Sequence, residues 1–125
     1  MPSILLVEDS DSSRLEVKKI LLAEMDVEIF EACNGQEGLE AYEKNEFDLI
    51  ITDINMPRMD GIEMCRRIVA VEGKPTPPII ALSSDSVGSL KKEGKTVGIV
   101  AWVVKPIREQ LFVSGIKSFL EKGIK

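Results

Sequence analysis

Apolar residues gather in five short runs: Ser3–Val7, Val27–Glu31, Asp48–Thr52, Pro78–Leu82 and Ile99–Val104. Each has the length and side-chain character of a β-strand. The runs Ile4-Leu5-Leu6-Val7, Leu49-Ile50-Ile51 and Ile79-Ile80-Ala81-Leu82 are apolar throughout and do not alternate, as in strands buried on both faces. Between the runs the apolar spacing widens to three and four, which predicts helices. The first spans about Ser12–Met25, with Val17, Ile20 and Leu21 on one stripe. The second, Gly35–Lys44, is opened by Asn34 and carries Leu39 and Tyr42. The third, Gly61–Val71, follows a proline-containing loop and presents Ile62, Cys65 and Ile68. In the fourth, Ser86–Lys95, Gly88 and Gly94 lower the helical propensity. The fifth, Arg108–Lys122, carries Leu111, Phe112, Ile116, Phe119 and Leu120.

Five strands alternating with five helices form a (βα)5 pattern, and crossovers of this length imply parallel strands. The expected fold is therefore α/β: a doubly wound five-stranded parallel sheet with helices on both faces. Ligands of such sheets bind beyond the carboxyl ends of the strands, near the reversal in strand order. The length of 125 residues, with 44% hydrophobic and 30% charged residues, fits one domain over 1–125. The chain ends just after the fifth helix, so no attached output domain is expected.

Charge and composition narrow the function. Sixteen basic against twenty-one acidic residues leave a net charge of −5 and no basic face, which argues against nucleic acid as partner. The longest apolar run, Val97–Val104, falls far short of a bilayer span, so no membrane partner is expected. The start turns acidic at Glu8-Asp9 without a basic stretch, unlike a secretory leader. Cys33 and Cys65 have no metal-like spacing and read as free thiols of a reducing cytoplasm. There is no histidine. An imidazole metal site, a histidine-based triad and a phosphohistidine within the chain are thereby excluded. Any metal must sit among oxygen ligands, as a hard cation such as Mg2+ does.

The residues just beyond the strands carry the chemistry. Glu8 and Asp9 follow the first, Asp53 the third, Ser83 the fourth, and Lys105 with Pro106 the fifth. In a parallel sheet these positions share one edge. Taken singly, Glu8 and Asp9 fit a helix N-terminus, Ser83 fits a helix cap, and Asp53 and Lys105 fit a loop and a surface. Together they bring three carboxylates, a hydroxyl and an ammonium from four strands to one place. Three adjacent carboxylates repel unless a cation sits among them. A carboxylate can also act as a nucleophile toward phosphorus. An arriving phosphoryl group then needs its oxygens neutralised, and metal, Ser83 and Lys105 supply one partner for each.

Glu8-Asp9, the string Asp53-Ile54-Asn55-Met56-Pro57-Arg58-Met59-Asp60-Gly61, Ala81-Leu82-Ser83-Ser84 and Lys105-Pro106 resemble the signatures of response-regulator receiver domains. Ala32-Cys33-Asn34-Gly35-Gln36-Glu37-Gly38-Leu39 is similar to the family's second-helix entry. The resemblance covers essentially the whole chain. It implies a flavodoxin-like fold with strand order 2-1-3-4-5 and Asp53 as phosphoacceptor, with no other catalytic nucleophile. It implies a Mg2+ site in which Asp9 is a direct ligand, Glu8 acts through water, and Asn55 contributes its backbone carbonyl beside Asp53. Ser83 and Lys105 would bind the phosphoryl group, Trp102 would occupy the switch-aromatic position, and a cis peptide would precede Pro106. The family usually has Ala or Gly where Ser84 stands, and Tyr or Phe where Trp102 stands. The stretch Glu93–Pro106 is similar to stand-alone chemotaxis-type receivers.

The expected function is a cytoplasmic two-component signalling switch, not a turnover enzyme. It would catalyse only its own phosphorylation and dephosphorylation. A sensor histidine kinase or phosphotransfer protein would donate the phosphoryl group. A downstream protein would bind the face made by the fourth helix, the fifth strand and the fifth helix, where Lys91, Lys92 and Lys95 offer a basic rim. The rival class is a small enzyme using the same acidic edge. A flavodoxin-like FMN binder would need a phosphate-cradling loop where Glu8-Asp9-Ser10-Asp11 stands. A dinucleotide-binding enzyme would need Gly-x-Gly-x-x-Gly there. A haloacid-type phosphatase would need an aspartate where Asn55 stands.

Overall fold

The structure is a computed structural model that describes residues 1–56, 59–84 and 88–123, with backbone alone for 88–91 and 122–123. Among the described residues ten elements alternate: β1 Ser3–Val7, α1 Asp11–Glu24, β2 Glu28–Ala32, α2 Gly35–Lys44, β3 Leu49–Asp53, α3 Gly61–Val69, β4 Ile79–Ser83, α4 Gly88–Thr96, β5 Ile99–Val104 and α5 Glu109–Gly123. The described strands form one parallel sheet in the order β2-β1-β3-β4-β5, the order that the resemblance to receiver domains implies. The chain runs from β1 outward to β2, then crosses back to β3 on the other side of β1. The reversal opens between β1 and β3, so the segments after Val7 and at Asp53 adjoin one crevice.

Side-chain alternation divides the core in two. Leu5, Val7, Ile50, Ile79 and Ala81 face α2 and α3 on one side, against Tyr42, Met64, Cys65 and Ile68. Ile4, Leu6, Leu49, Ile51, Ile80 and Leu82 face α1 and α5 on the other, against Val17, Leu21, Phe112 and Ile116. Central strands therefore bury both faces, which explains their unbroken apolar runs. Among the described residues no helix is long and apolar enough to cross a membrane. Both cysteines are free, Cys65 buried and Cys33 half-buried.

Several boundaries differ from expectation. Strands β2, β3 and β4 each start and end one residue later than their apolar runs. Asp53 still pairs with Leu82, and Ser83 with Val104, so the ladder continues through polar residues that apolar patterning stops before. Helix α1 starts at Asp11, because Ser10 caps it by accepting the Ser13 N–H. Helix α3 ends two residues early, ahead of the turn at Gly73, whose φ is +78°. The expected start of the fourth helix at Ser86 and Val87, together with Asp85, Pro57 and Arg58, lies outside the described residues. Leu111 was expected on the apolar stripe of α5 but is 67% exposed. The buried stripe runs through Phe112, Ile116 and Leu120, and Leu111 is one position off it.

Candidate functional site

The site begins where β1 stops. The Glu8 N–H still donates to the Ala32 carbonyl at 3.0 Å, so β1–β2 pairing reaches into the loop. Its own carbonyl accepts from Arg14 Nη1 at 2.8 Å, and its Oε1 from the Ser10 N–H at 3.2 Å. This turns the Glu8 side chain inward, leaving it 1% exposed, while Asp9 stays exposed. Asp53, 6% exposed, is the last residue of β3. Its backbone carbonyl accepts from Thr52 Oγ1 at 2.9 Å and its Oδ1 from the Asn55 N–H at 3.3 Å. Asn55 itself is exposed. Fully buried Ser83 ends β4, and its carbonyl accepts the Lys105 N–H at 2.8 Å. Lys105 then reaches across, placing Nζ 3.4 Å from Glu8 Oε2 and 3.7 Å from Asp53 Oδ2. The Lys105–Pro106 bond is cis.

One carboxylate oxygen each from Glu8, Asp9 and Asp53 lie within 4.8 Å of one another. The electrostatics follow from that crowding. Burial, then the Asp53 charge, pushes the Glu8 carboxyl up to about 7, with Lys105 acting the other way. Among the described residues one ammonium stands against three carboxylates, which leaves the cluster short of positive charge. An all-oxygen set with two buried members and one facing solvent suits a hard, partly hydrated cation. The residues present thus fit magnesium.

Trp102 lies apart from the acidic cluster. Its ring packs with the cluster on the α2–α3 side and lies over Gly94 of α4, where a Cβ would come within 2.8 Å of Cζ3. Its buried Nε1 has no hydrogen-bond partner among the described residues. Lys92 and Lys95 are exposed nearby in sequence, and the Lys91 side chain lies outside the description.

The sequence profile of the response regulator receiver domain matches residues 4–117. The chain belongs to the response regulator receiver domain family. Such domains are signalling switches of two-component systems rather than turnover enzymes. The chain is 32% identical over 123 residues to the transcriptional regulatory protein AfsQ1 of Streptomyces coelicolor, covering 98% of this chain and 53% of that protein. It spans about half the length of the curated relatives it matches. The Vibrio cholerae chemotaxis protein CheY4 superposes with a TM-score of 0.87 at 33% identity, covering 95% of this chain and 98% of that one. The receiver domain of the sensor histidine kinase PA1611 of Pseudomonas aeruginosa shares the fold, with a TM-score of 0.85 at 22% identity over 96% of this chain and 98% of that one. That protein holds a magnesium ion in its active-site cleft.

The receiver's described edge thus brings Glu8, Asp9, Asp53 and Lys105 together, with the end of β4 at Ser83 tied to Lys105 through the backbone. Three supporting residues escape sequence reasoning. Thr52 and Arg14 act on carbonyls, which leaves no pattern in sequence. Gly61 stands inside the resembling string, yet its reason is visible only in space, as a close approach to the Asp53 backbone.

Proposed function

We propose that this receiver accepts a phosphoryl group on Asp53, in a Mg2+-dependent step, from the phosphohistidine of a sensor histidine kinase or phosphotransfer protein in the cytoplasm. The observation that carries the reading is the buried Glu8–Asp53 carboxylate pair with Lys105 Nζ beside both. Asp53 Oδ forms the bond to phosphorus while the bond to the donor imidazole nitrogen breaks, and its electron pair stays on the imidazole. Lys105 leaves the carboxylates for a phosphoryl oxygen, and the Ser83 hydroxyl donates to another. Asp9, Asp53, the Asn55 carbonyl and, through water, Glu8 would hold magnesium, which would supply positive charge against the carboxylates and the phosphoryl oxygens. Incubation with acetyl phosphate and Mg2+ should add one phosphoryl group, labile to hydroxylamine. Asp53→Asn should take none, and labelling of that variant at wild-type yield would sink the assignment.

The output is a downstream protein that docks on α4, β5 and α5. Val100, Val104 and Leu111 are exposed there, beside a groove of about 250 Å³ that Trp102, Arg108 and Phe112 help to line. Trp102 is the movable element: Ser83, drawn toward the phosphoryl group, vacates space into which the indole turns, biasing one of two packings. As the only tryptophan it reports on itself. Beryllofluoride with Mg2+ should change its emission and acrylamide quenching beyond a Mg2+-only control, and Asp53→Asn should erase the change. Unaltered emission and quenching at full occupancy of Asp53 would remove Trp102 from the switch.

A further inference from the structure

The loop that carries Glu8 and Asp9 is held by one cation that is not itself in the acidic cluster. Arg14, on the first turns of α1, spreads its guanidinium over three acceptors. Nη1 donates to the Glu8 backbone carbonyl at 2.8 Å, Nη2 to Asp11 Oδ1 at 2.6 Å, and Nε to Glu31 Oε1 at 3.3 Å. Lys18 holds the other oxygen of Glu31 at 3.0 Å. The side chain is 17% exposed, against 91% for Asp11 and 37% for Glu31. The two ion pairs are therefore solvated and worth little alone. The charge-assisted bond to the carbonyl is the part-buried one.

That carbonyl belongs to the Glu8–Asp9 peptide, so its orientation sets where Asp9 departs from the chain. On the other side, the Glu8 N–H is fixed to Ala32. The Asp9 carboxylate accepts no hydrogen bond among the described residues, so nothing else there aims it. We propose that Arg14 is a positioning residue for the cation site: it locks the Glu8–Asp9 peptide plane so that the Glu8 and Asp9 carboxylates face Asp53. This rests on the reading of that site given above. The planar fork suits the task, since it bonds a carbonyl and two carboxylates at once, whereas a lysine ammonium on a flexible stem does not hold three acceptors in one plane.

The test is Mg2+ affinity, read by isothermal titration on the unphosphorylated protein, beside thermal stability. Partners that orient metal ligands typically change affinity tenfold or more, so Arg14→Met should weaken Mg2+ binding about tenfold. Arg14→Lys should recover part of that loss. Glu31→Gln and Lys18→Met keep the carbonyl bond and should stay within about threefold of wild type. Amide exchange at Asp9 and Ser10 should quicken in Arg14→Met, and acetyl-phosphate labelling should return to wild-type yield once Mg2+ is saturating. A purely structural arginine would lower the melting temperature of both Arg14 variants and leave affinity alone. If wild type binds Mg2+ in an Asp9-dependent way and Arg14→Met binds it as tightly, the positioning role is wrong and the site stands. Absence of Asp9-dependent Mg2+ binding in wild type overturns both.

Discussion

Gly61→Ala is expected to destabilise the fold by about 3 kcal/mol and to slow acetyl-phosphate labelling of Asp53 roughly a hundredfold. Gly61 opens α3 directly on the end of β3, where its N–H donates to the Ile54 carbonyl at 3.0 Å. A Cβ there would lie 2.2 Å from the Asp53 backbone oxygen and 3.0 Å from Ile54 Cα. Both obstacles are backbone, so no side chain can swing away. Either α3 lifts from the sheet or the end of β3 moves, and Asp53 moves with it relative to Glu8 and Lys105. Gly115→Ala supplies the contrast. Gly115 lies within α5, and a Cβ there would meet nothing within 4 Å. It should stabilise by about 0.5–1 kcal/mol through helix propensity and leave labelling alone. Urea unfolding and a labelling time course measure both. A Gly61→Ala protein that melts and labels like wild type would show that this approach is not tight.

The contrast between these glycines marks what one-dimensional pattern carries. Strand number, parallel direction and the shared edge are legible because periodicity and crossover length are local quantities. The acidic cluster is legible because the ends of β1 and β3 must share that edge. What pattern does not carry is depth. Glu8, Asp9 and Asp53 look alike in sequence, yet Glu8 and Asp53 are buried while Asp9 is exposed. That difference comes from side-chain direction after β1, set by the Ser10 N–H and the Lys105 ammonium. Leu111 shows the same gap, since a one-position offset on α5 moves a large apolar side chain into solvent. Arg14 is a further case: its partners come from the β1–α1 loop and from β2, and only the folded chain brings them together.

The depth of Glu8 has a thermodynamic consequence. In the metal-free protein, stability is expected to fall as pH rises from 4.5 to about 7, the ordinary and the native values of its carboxyl. A raised native pKa means that the folded protein keeps a proton that the unfolded chain has already lost. The contribution is fully present below 4.5 and gone above about 7, and its full span is on the order of 3 kcal/mol. Glu31, held down by Lys18, then Arg14, Glu37 by Cys33, and Glu63 by Arg67 and Arg66 have lowered values and act below 4.5, outside this window. The Cys33 and Cys65 thiols are raised above 9.0 and act on the alkaline side. Chelated wild-type protein and Glu8→Gln should therefore diverge in urea midpoint across the window, the variant staying nearly flat and becoming the more stable above it. Parallel curves would show that the Glu8 carboxyl is not held protonated. The same proton must leave when the cluster takes a cation, so Mg2+ affinity should climb with pH through the window in wild type, and Glu8→Gln should bind weakly without that climb.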